Sequence, residues 1–182
     1  MKEIELKVFI GPVSIERPAA ITTLKVKRSS MEEDVYYTSR YKDLIETEEC
    51  LRIRTRDGSS ELTWKPPTTQ EMLEKKQYWK QELNVDIGDQ AAAMREMLER
   101  LEFVEYVVVR KERVEYIYDD ETTITVDKIE GIGLFAEIET MCADTVYGTE
   151  KNSQVLKELG LGAMVRVQRP YRDIVKDGQV NA

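Results

Sequence analysis

A two-residue alternation of ionic and aliphatic side chains opens the chain and returns on one segment after another. In Met1-Lys-Glu-Ile-Glu-Leu-Lys-Val-Phe-Ile10, Glu3, Glu5 and Lys7 alternate with Ile4, Leu6 and Val8. Extended backbone sends successive side chains to opposite faces, so this segment has one ionic and one aliphatic face. Taken alone it reads as an edge strand with a solvated face. Recurrence changes the reading. Arg52 and Arg54 alternate with Leu51 and Ile53, and Glu61, Thr63 and Lys65 with Leu62 and Trp64. Lys111 and Arg113 share a face, as do Thr123, Thr125 and Asp127, and Glu137 and Glu139 flank Ile138. A flat sheet of such strands would carry one intensely charged side; closing it into a barrel turns that side into a polar lumen. Carboxylates crowded there push one another's pKa up, a divalent cation relieves them, and the facing bases call for an anion. A metal-bound polyphosphate satisfies both halves, and a charge-laced exterior is the alternative.

Composition narrows the chemistry. The 182 residues suit one domain spanning 1–182, with 35 acidic against 27 basic side chains and a formal net charge of -8. That balance argues against a nucleic-acid duplex as partner, which needs clustered positive charge. No histidine is present, so imidazole bases and His-ligated zinc are excluded, and any metal is held by oxygen: Mg²⁺, Mn²⁺ or Ca²⁺. Cys50 and Cys142 form neither a metal spacing nor a disulfide framework. No run approaches membrane-spanning length and no apolar signal stretch opens the chain, so the expectation is a cytoplasmic protein without a membrane partner.

Most segments read as strands. Residues 14–22 suggest a short helix weakened by Pro18; 24–28 and 34–39 look extended. Residues 50–55 and 61–65 flank Asp57-Gly58, a hairpin signal, and 75–87 alternate again with Glu82 on the polar side. Asp89 is placed to cap a helix over 90–102, whose Met94, Met97, Leu98 and Leu101 stripe reads as core packing. A hairpin over 104–127 turns near Asp119-Asp120, Gly131 and Gly133 mark the next turn, and 134–140 is a strand. Residues 150–159 suggest an amphipathic helix closed by Gly160, and 165–175 a strand with a short tail. The expected fold is α+β and mainly β: an eight-stranded antiparallel closed barrel with flanking helices.

These same residues carry a specific likeness. Glu3, Glu5 and Lys7 match the Glu-x-Glu-x-Lys opening of the CYTH superfamily, the triphosphate tunnel metalloenzymes that include class IV adenylyl cyclases and thiamine triphosphatases. Asp34-Val-Tyr36 resembles its Asp-x-Tyr element, Leu51 to Arg54 its Leu-Arg-Ile-Arg strand, and Leu62 to Lys65 its Leu-Thr-x-Lys strand. Lys111-Glu-Arg113 is similar to its Lys-x-Arg element. Asp127 to Glu139, with Gly131, Gly133 and Phe135, resembles its Asp…Gly-x-Gly-x-Phe-x-Glu-x-Glu block. The likeness runs in order along nearly the whole chain, and departs at Arg169 to Val175, which only loosely resembles the family's ending.

The resemblance implies a metal-dependent enzyme acting on a triphosphate inside the tunnel, with Mg²⁺ or Mn²⁺, two ions, as cofactor. By position Glu3, Glu5, Glu137 and Glu139 would hold metal, with Asp127 and Glu82 in support. Lys7, Arg52, Arg54, Lys65, Lys111, Arg113 and Arg169 would hold phosphate oxygens, with Glu82 at the substrate. Glu3, Glu5, Lys7, Lys65, Glu137 and Glu139 form the implied catalytic set. Two chemistries fit: cyclisation of ATP to cyclic AMP and pyrophosphate, to which motif order and size lean, or hydrolysis of thiamine triphosphate, a nucleotide or tripolyphosphate. A noncatalytic polyphosphate-binding module is the third reading. The sequence is also compatible with a homodimer through the outer sheet.

Overall fold

The computed structural model describes residues 2–67 and 82–180. Among these residues nine strands form one antiparallel sheet: β1 (Lys2–Gly11), β2 (Lys25–Ser39), β3 (Cys50–Arg56), β4 (Ser59–Lys65), β5 (Leu83–Gly88), β6 (Phe103–Ile117), β7 (Thr122–Ile129), β8 (Gly133–Cys142) and β9 (Val165–Arg166). Among the described residues four helices flank it: α1 (Ala19–Thr22), α2 (Ala91–Arg100), α3 (Thr145–Glu158) and α4 (Tyr171–Asp177). Neighbours run in the order β5-β4-β3-β2-β6-β7-β8-β1-β9.

This corrects the expected eight-stranded closed barrel. After α3 the chain returns as β9, which pairs with β1 at Val8 and Phe9 and takes that edge of it. Among the described residues β5 and β9 are therefore the two margins of an open ladder. The sheet nevertheless curls far round. Glu3 on β1 feels the charges of Lys65 on β4 and Glu82 just before β5, at the opposite end of the strand order. Residues from β1, β3, β4, β6 and β8 line a single cavity. Register shifts at Val26/Arg28 and Tyr36/Tyr37 punctuate the long β2–β6 pair, where added twist helps the sheet bend.

The alternation resolves into an inverted architecture. Aliphatic faces point outward and are roofed by helices. Val8, Val126, Ala136 and Ile138 pack with Val155 and Leu156 of α3, while Val35, Leu51 and Ile53 pack with Leu98 of α2. Along β1 the inward positions run Glu3, Glu5, Lys7 and then Phe9. The same change occurs on β8 and β6, where Phe135 and Val109 precede the ionic positions; with Tyr36, Ile129, Tyr171 and Ile174 they form an apolar cluster at one end of the interior. The ionic lumen therefore ends against an apolar stopper to which α4 contributes.

Several local expectations shift. Residues 25–39 are one continuous strand rather than two, because pairing with β3 and β6 holds it on both sides. Residues 14–22 reduce to the single turn of α1 following Pro18. Helix α3 begins at Thr145, with the Asp144 carboxylate accepting hydrogen bonds from the Val146 and Tyr147 amides. Gly148 does not break it: a Cβ there would stand 2.7 Å from Cys142 Sγ and 2.8 Å from Ile4 Cγ1, so the glycine permits close approach to β1 and β8. The predicted 165–175 strand is instead the two-residue β9 followed by α4. Asp89 does not cap α2, which starts after Gln90, and only Leu98 of its stripe is fully buried; Met97 and Leu101 are exposed. The part of the predicted 75–87 strand before Glu82 lies outside the described residues. Among the described residues no helix is long and apolar enough to cross a membrane.

Candidate active site

The inward faces converge on a cavity of about 690 Å³. Of the residues expected from sequence, Glu3, Glu5, Lys7, Arg52, Arg54 and Lys65 line it, together with Glu82, Lys111, Arg113, Glu137, Glu139 and Arg169. Asp127 does not; it is fully buried behind the wall.

Two layers of acid surround the bases. The nearer layer belongs to β1 and β8, whose register sets Glu5 opposite Glu139 and Lys7 opposite Glu137. Lys7 Nζ stands 3.7 Å from Glu5 and 3.8 Å from Glu137. Arg113 donates to the Glu137 carboxylate at 2.8 Å, so Glu137 bridges a lysine and an arginine. The remaining glutamates crowd one another. Burial, then the Glu137 charge, pushes Glu5 up; burial with Glu137 and Glu3 raises Glu139 well above the usual carboxylate range. Glu3 is raised by burial and by Glu82. Glu5 keeps 37% side-chain exposure although protein surrounds it, because the solvent it meets lies within the cavity.

The deeper layer comes from β2 and β7. Asp34 accepts two hydrogen bonds from Arg54, both at 2.6 Å, and lies 3.6 Å from Arg52. Lys111 Nζ sits among three carboxylates, 3.5 Å from Glu32, 3.6 Å from Asp34 and 3.8 Å from Asp127. Arg113 grips Asp127 through two hydrogen bonds, one of 2.7 Å. Burial alone would raise these acids. The cations outweigh it: Arg52 and Lys111 hold Asp34 far below the carboxylate range, and Lys111 and Arg113 hold Asp127 at about 2. Burial in turn pulls the Lys111 ammonium down, against the charge of Asp127. This layer aims the bases. Removing one partner of such a buried pair strands the other charge.

Three of the placements differ from a simple phosphate cradle. Lys65 is salt-bridged to Glu82 at the cavity edge. Arg169 lines the cavity, but its guanidinium donates to Asp177 of α4. Arg172 was not singled out, yet it is 4% exposed, lines the cavity and donates to the Glu49 carbonyl. Glu32 and Tyr171 were also missed. Glu32 stands in phase with Asp34, and that spacing was the available signal.

Among the described residues no three acidic side chains are drawn together as a formed metal cluster. The donor set nonetheless fits a hard divalent cation: only oxygen ligands, four glutamates on paired strands, and three of them pushed up by burial and mutual repulsion.

An inward-facing lumen thus sets carboxylates on two adjoining strands opposite lysines and arginines on three others. The chain belongs to the CYTH domain family, whose model matches residues 1–171. It is 29% identical over 178 residues to a Methanocaldococcus jannaschii protein provisionally named adenylate cyclase, covering 96% of this chain and 98% of that one. A solved Pyrococcus horikoshii protein superimposes with a TM-score of 0.79 at 29% identity, over 97% of this chain and 99% of that one. A Hippeastrum protein, provisionally named adenylyl cyclase and described as having a dominant triphosphatase activity, shares the fold with a TM-score of 0.71 at 19% identity, over 100% and 98% of the two chains.

Proposed function

We propose that residues 1–182 form a single enzyme domain that processes a triphosphate within the cavity with the help of Mg²⁺ or Mn²⁺. The observation that carries this reading is the convergence of the β1 and β8 glutamates with Lys7, Arg52, Arg54, Lys65, Lys111 and Arg113 on one lumen. Glu3, Glu5, Glu137 and Glu139 would hold two ions, with Glu82 near them and Asp127 acting from behind through Arg113. The ions, when bound, would neutralise phosphate charge and act as Lewis acids.

The chain's own groups do the rest. Arg52 and Arg54, fixed by Asp34 and Glu32, offer planar donors to phosphate oxygens, and Lys7 and Lys65 supply compact charge. Glu137 shares Lys7 and Arg113, so any cation that draws on Glu137 would free those two donors for the anion. Charge gathering on a leaving phosphate is met by donors already in place, which is the largest contribution such a site can make.

Cyclisation is the first reading, supported by the Methanocaldococcus relative's name. The ribose 3′-oxygen bonds to the α-phosphorus of ATP, the α–β bridging bond breaks, pyrophosphate leaves and the hydroxyl proton is released. The Hippeastrum neighbour's activity favours a second reading, in which water bonds to the terminal phosphorus, the bridging bond to the next phosphate breaks, the diphosphate leaves, and orthophosphate and a proton are released. The test is product analysis: ATP, thiamine triphosphate or tripolyphosphate with Mg²⁺ or Mn²⁺. Cyclic AMP with pyrophosphate supports the cyclase and orthophosphate the phosphatase. Binding without turnover leaves only a polyphosphate-binding module. In either enzyme Glu5→Gln loses turnover while remaining folded; full activity in that variant removes the metal assignment.

A further inference from the structure

The ionic lumen and its apolar stopper meet at one side chain, Tyr171, the first residue of α4. Its ring centroid lies 4.4 Å from Lys7 Nζ and 5.3 Å from Lys111 Nζ. Both lysines are almost wholly buried, at 8% and 2% exposure, and Tyr171 is 6% exposed. An ammonium that near an aromatic ring is attracted by its quadrupole, and more strongly when water is excluded. The ring itself is wedged. Phe135 packs against it edge-on with centroids 5.1 Å apart, and Phe9 tilts against Phe135 at the same 5.1 Å spacing. The three aromatics come from β1, β8 and α4, so the contact joins a terminal helix to two strands of the lumen.

Neither lysine is fixed by a short ion pair. Lys7 approaches its carboxylates no closer than 3.7 Å, and Lys111 no closer than 3.5 Å. Each ammonium therefore has the ring on one side and acid neighbours at looser distances on the others. The next residue, Arg172, ties α4 to the segment before β3 through the Glu49 carbonyl. Seating of α4 and placement of the two ammonium groups are thus parts of one structure.

We propose that Tyr171 is a positioning residue for the anion site: its ring holds Lys7 and Lys111 at the inner end of the lumen, and occupation of the cavity by a polyphosphate is coupled to the seating of α4. The inference deepens the reading given above and rests on the cavity taking a polyphosphate. By linkage, an anion that binds only when the lysines are so placed must stabilise the seated helix, and loosening the helix must weaken the anion.

The experiment uses the full chain and inorganic tripolyphosphate as probe. Calorimetric titration of wild type, Tyr171→Phe and Tyr171→Leu is combined with hydrogen exchange at the amides of residues 171–177. The expected result is wild-type affinity in Tyr171→Phe, which keeps the ring, and about tenfold weaker binding in Tyr171→Leu, the loss of a desolvated cation–π contact. In wild type, tripolyphosphate slows exchange across α4; this readout needs no variant and holds even if Tyr171→Leu folds poorly. A helix whose exchange is unchanged by bound tripolyphosphate overturns the coupling. Equal affinity of a folded Tyr171→Leu, or equal weakening in Tyr171→Phe, overturns the role of the ring. Failure of wild type to bind tripolyphosphate at all strikes the polyphosphate reading itself, and so is told apart from failure of the Tyr171 role alone.

Discussion

Arg54 and Lys65 are both cavity bases, yet their partners make them different residues. Arg54 is locked to buried Asp34 by two hydrogen bonds and stands 3.3 Å from Glu32. Arg54→Ala would leave two carboxylates buried with reduced compensation, at a cost of roughly 3–5 kcal/mol in stability besides any loss of binding. Lys65 sits at the cavity edge against Glu82, with 26% side-chain exposure. Lys65→Ala is expected to melt within about 0.5 kcal/mol of wild type while losing tripolyphosphate affinity, since changes away from the buried network are mild. Thermal melts and calorimetry on the two variants check the contrast; equal stability in both would mean that the deeper acid layer does not support Arg54. This difference was invisible in the sequence. Alternation showed which side chains share a face, but not that Asp34 and Glu32 lie across the β2–β3 register from Arg54 and Arg56. Pairing across strands is nonlocal information.

Elements carry their own tests. Asp127, held at about 2 by Lys111 and Arg113 against the opposing effect of burial, has its folded pKa below the ordinary 3.8. Its contribution is therefore fully present above pH 3.8 and disappears as the pH falls toward 2, about 2 kcal/mol in all. Acid titration followed by circular dichroism should show that limb in wild type and its loss in Asp127→Asn; an identical limb in both would exclude the β6–β7 pair as its source. Gly148 tests the seating of α3. Gly148→Ala should cost about 1–3 kcal/mol, because a Cβ meets Cys142 and Ile4, despite alanine's better helix propensity. A gain in stability would contradict the close approach. The sequence suggested a helix over 150–159; the observed one starts five residues earlier at Thr145 and runs through Gly148, where close packing against β1 and β8 outweighs glycine's poor helix propensity. Helix α4 was legible in principle: Pro170 precedes it, Asp173 lies in its first turn, Lys176 in its last, and Gly178 ends it in the left-handed region with φ 67°. The apolar Tyr171, Ile174 and Val175 stand at i, i+3 and i+4, a helical spacing that agrees with those end signals.

At the level of the whole molecule, the two-faced character of strand after strand was readable from sequence, whereas the choice between an ionic lumen and a charge-laced exterior needed the assembled sheet. What the sequence reading had wrong was how the curled sheet ends: the expected eight-stranded closed barrel is a nine-stranded ladder with β5 and β9 at its margins among the described residues. A two-residue strand such as β9 has no periodicity to detect, and its position on β1 depends on the return path after α3. The apolar stopper was hidden for a related reason: Phe9, Val109 and Phe135 each extend an ionic face by one more inward position, and only the assembled sheet brings them together. The decisive observation is anomalous diffraction from crystals soaked with Mn²⁺ and tripolyphosphate. Manganese peaks at Glu3, Glu5, Glu137 and Glu139, with the phosphate chain lying among Lys7, Arg52, Arg54 and Arg113, are the expected result. Manganese and phosphate bound only on the outer surface, with the lumen holding neither, would contradict it.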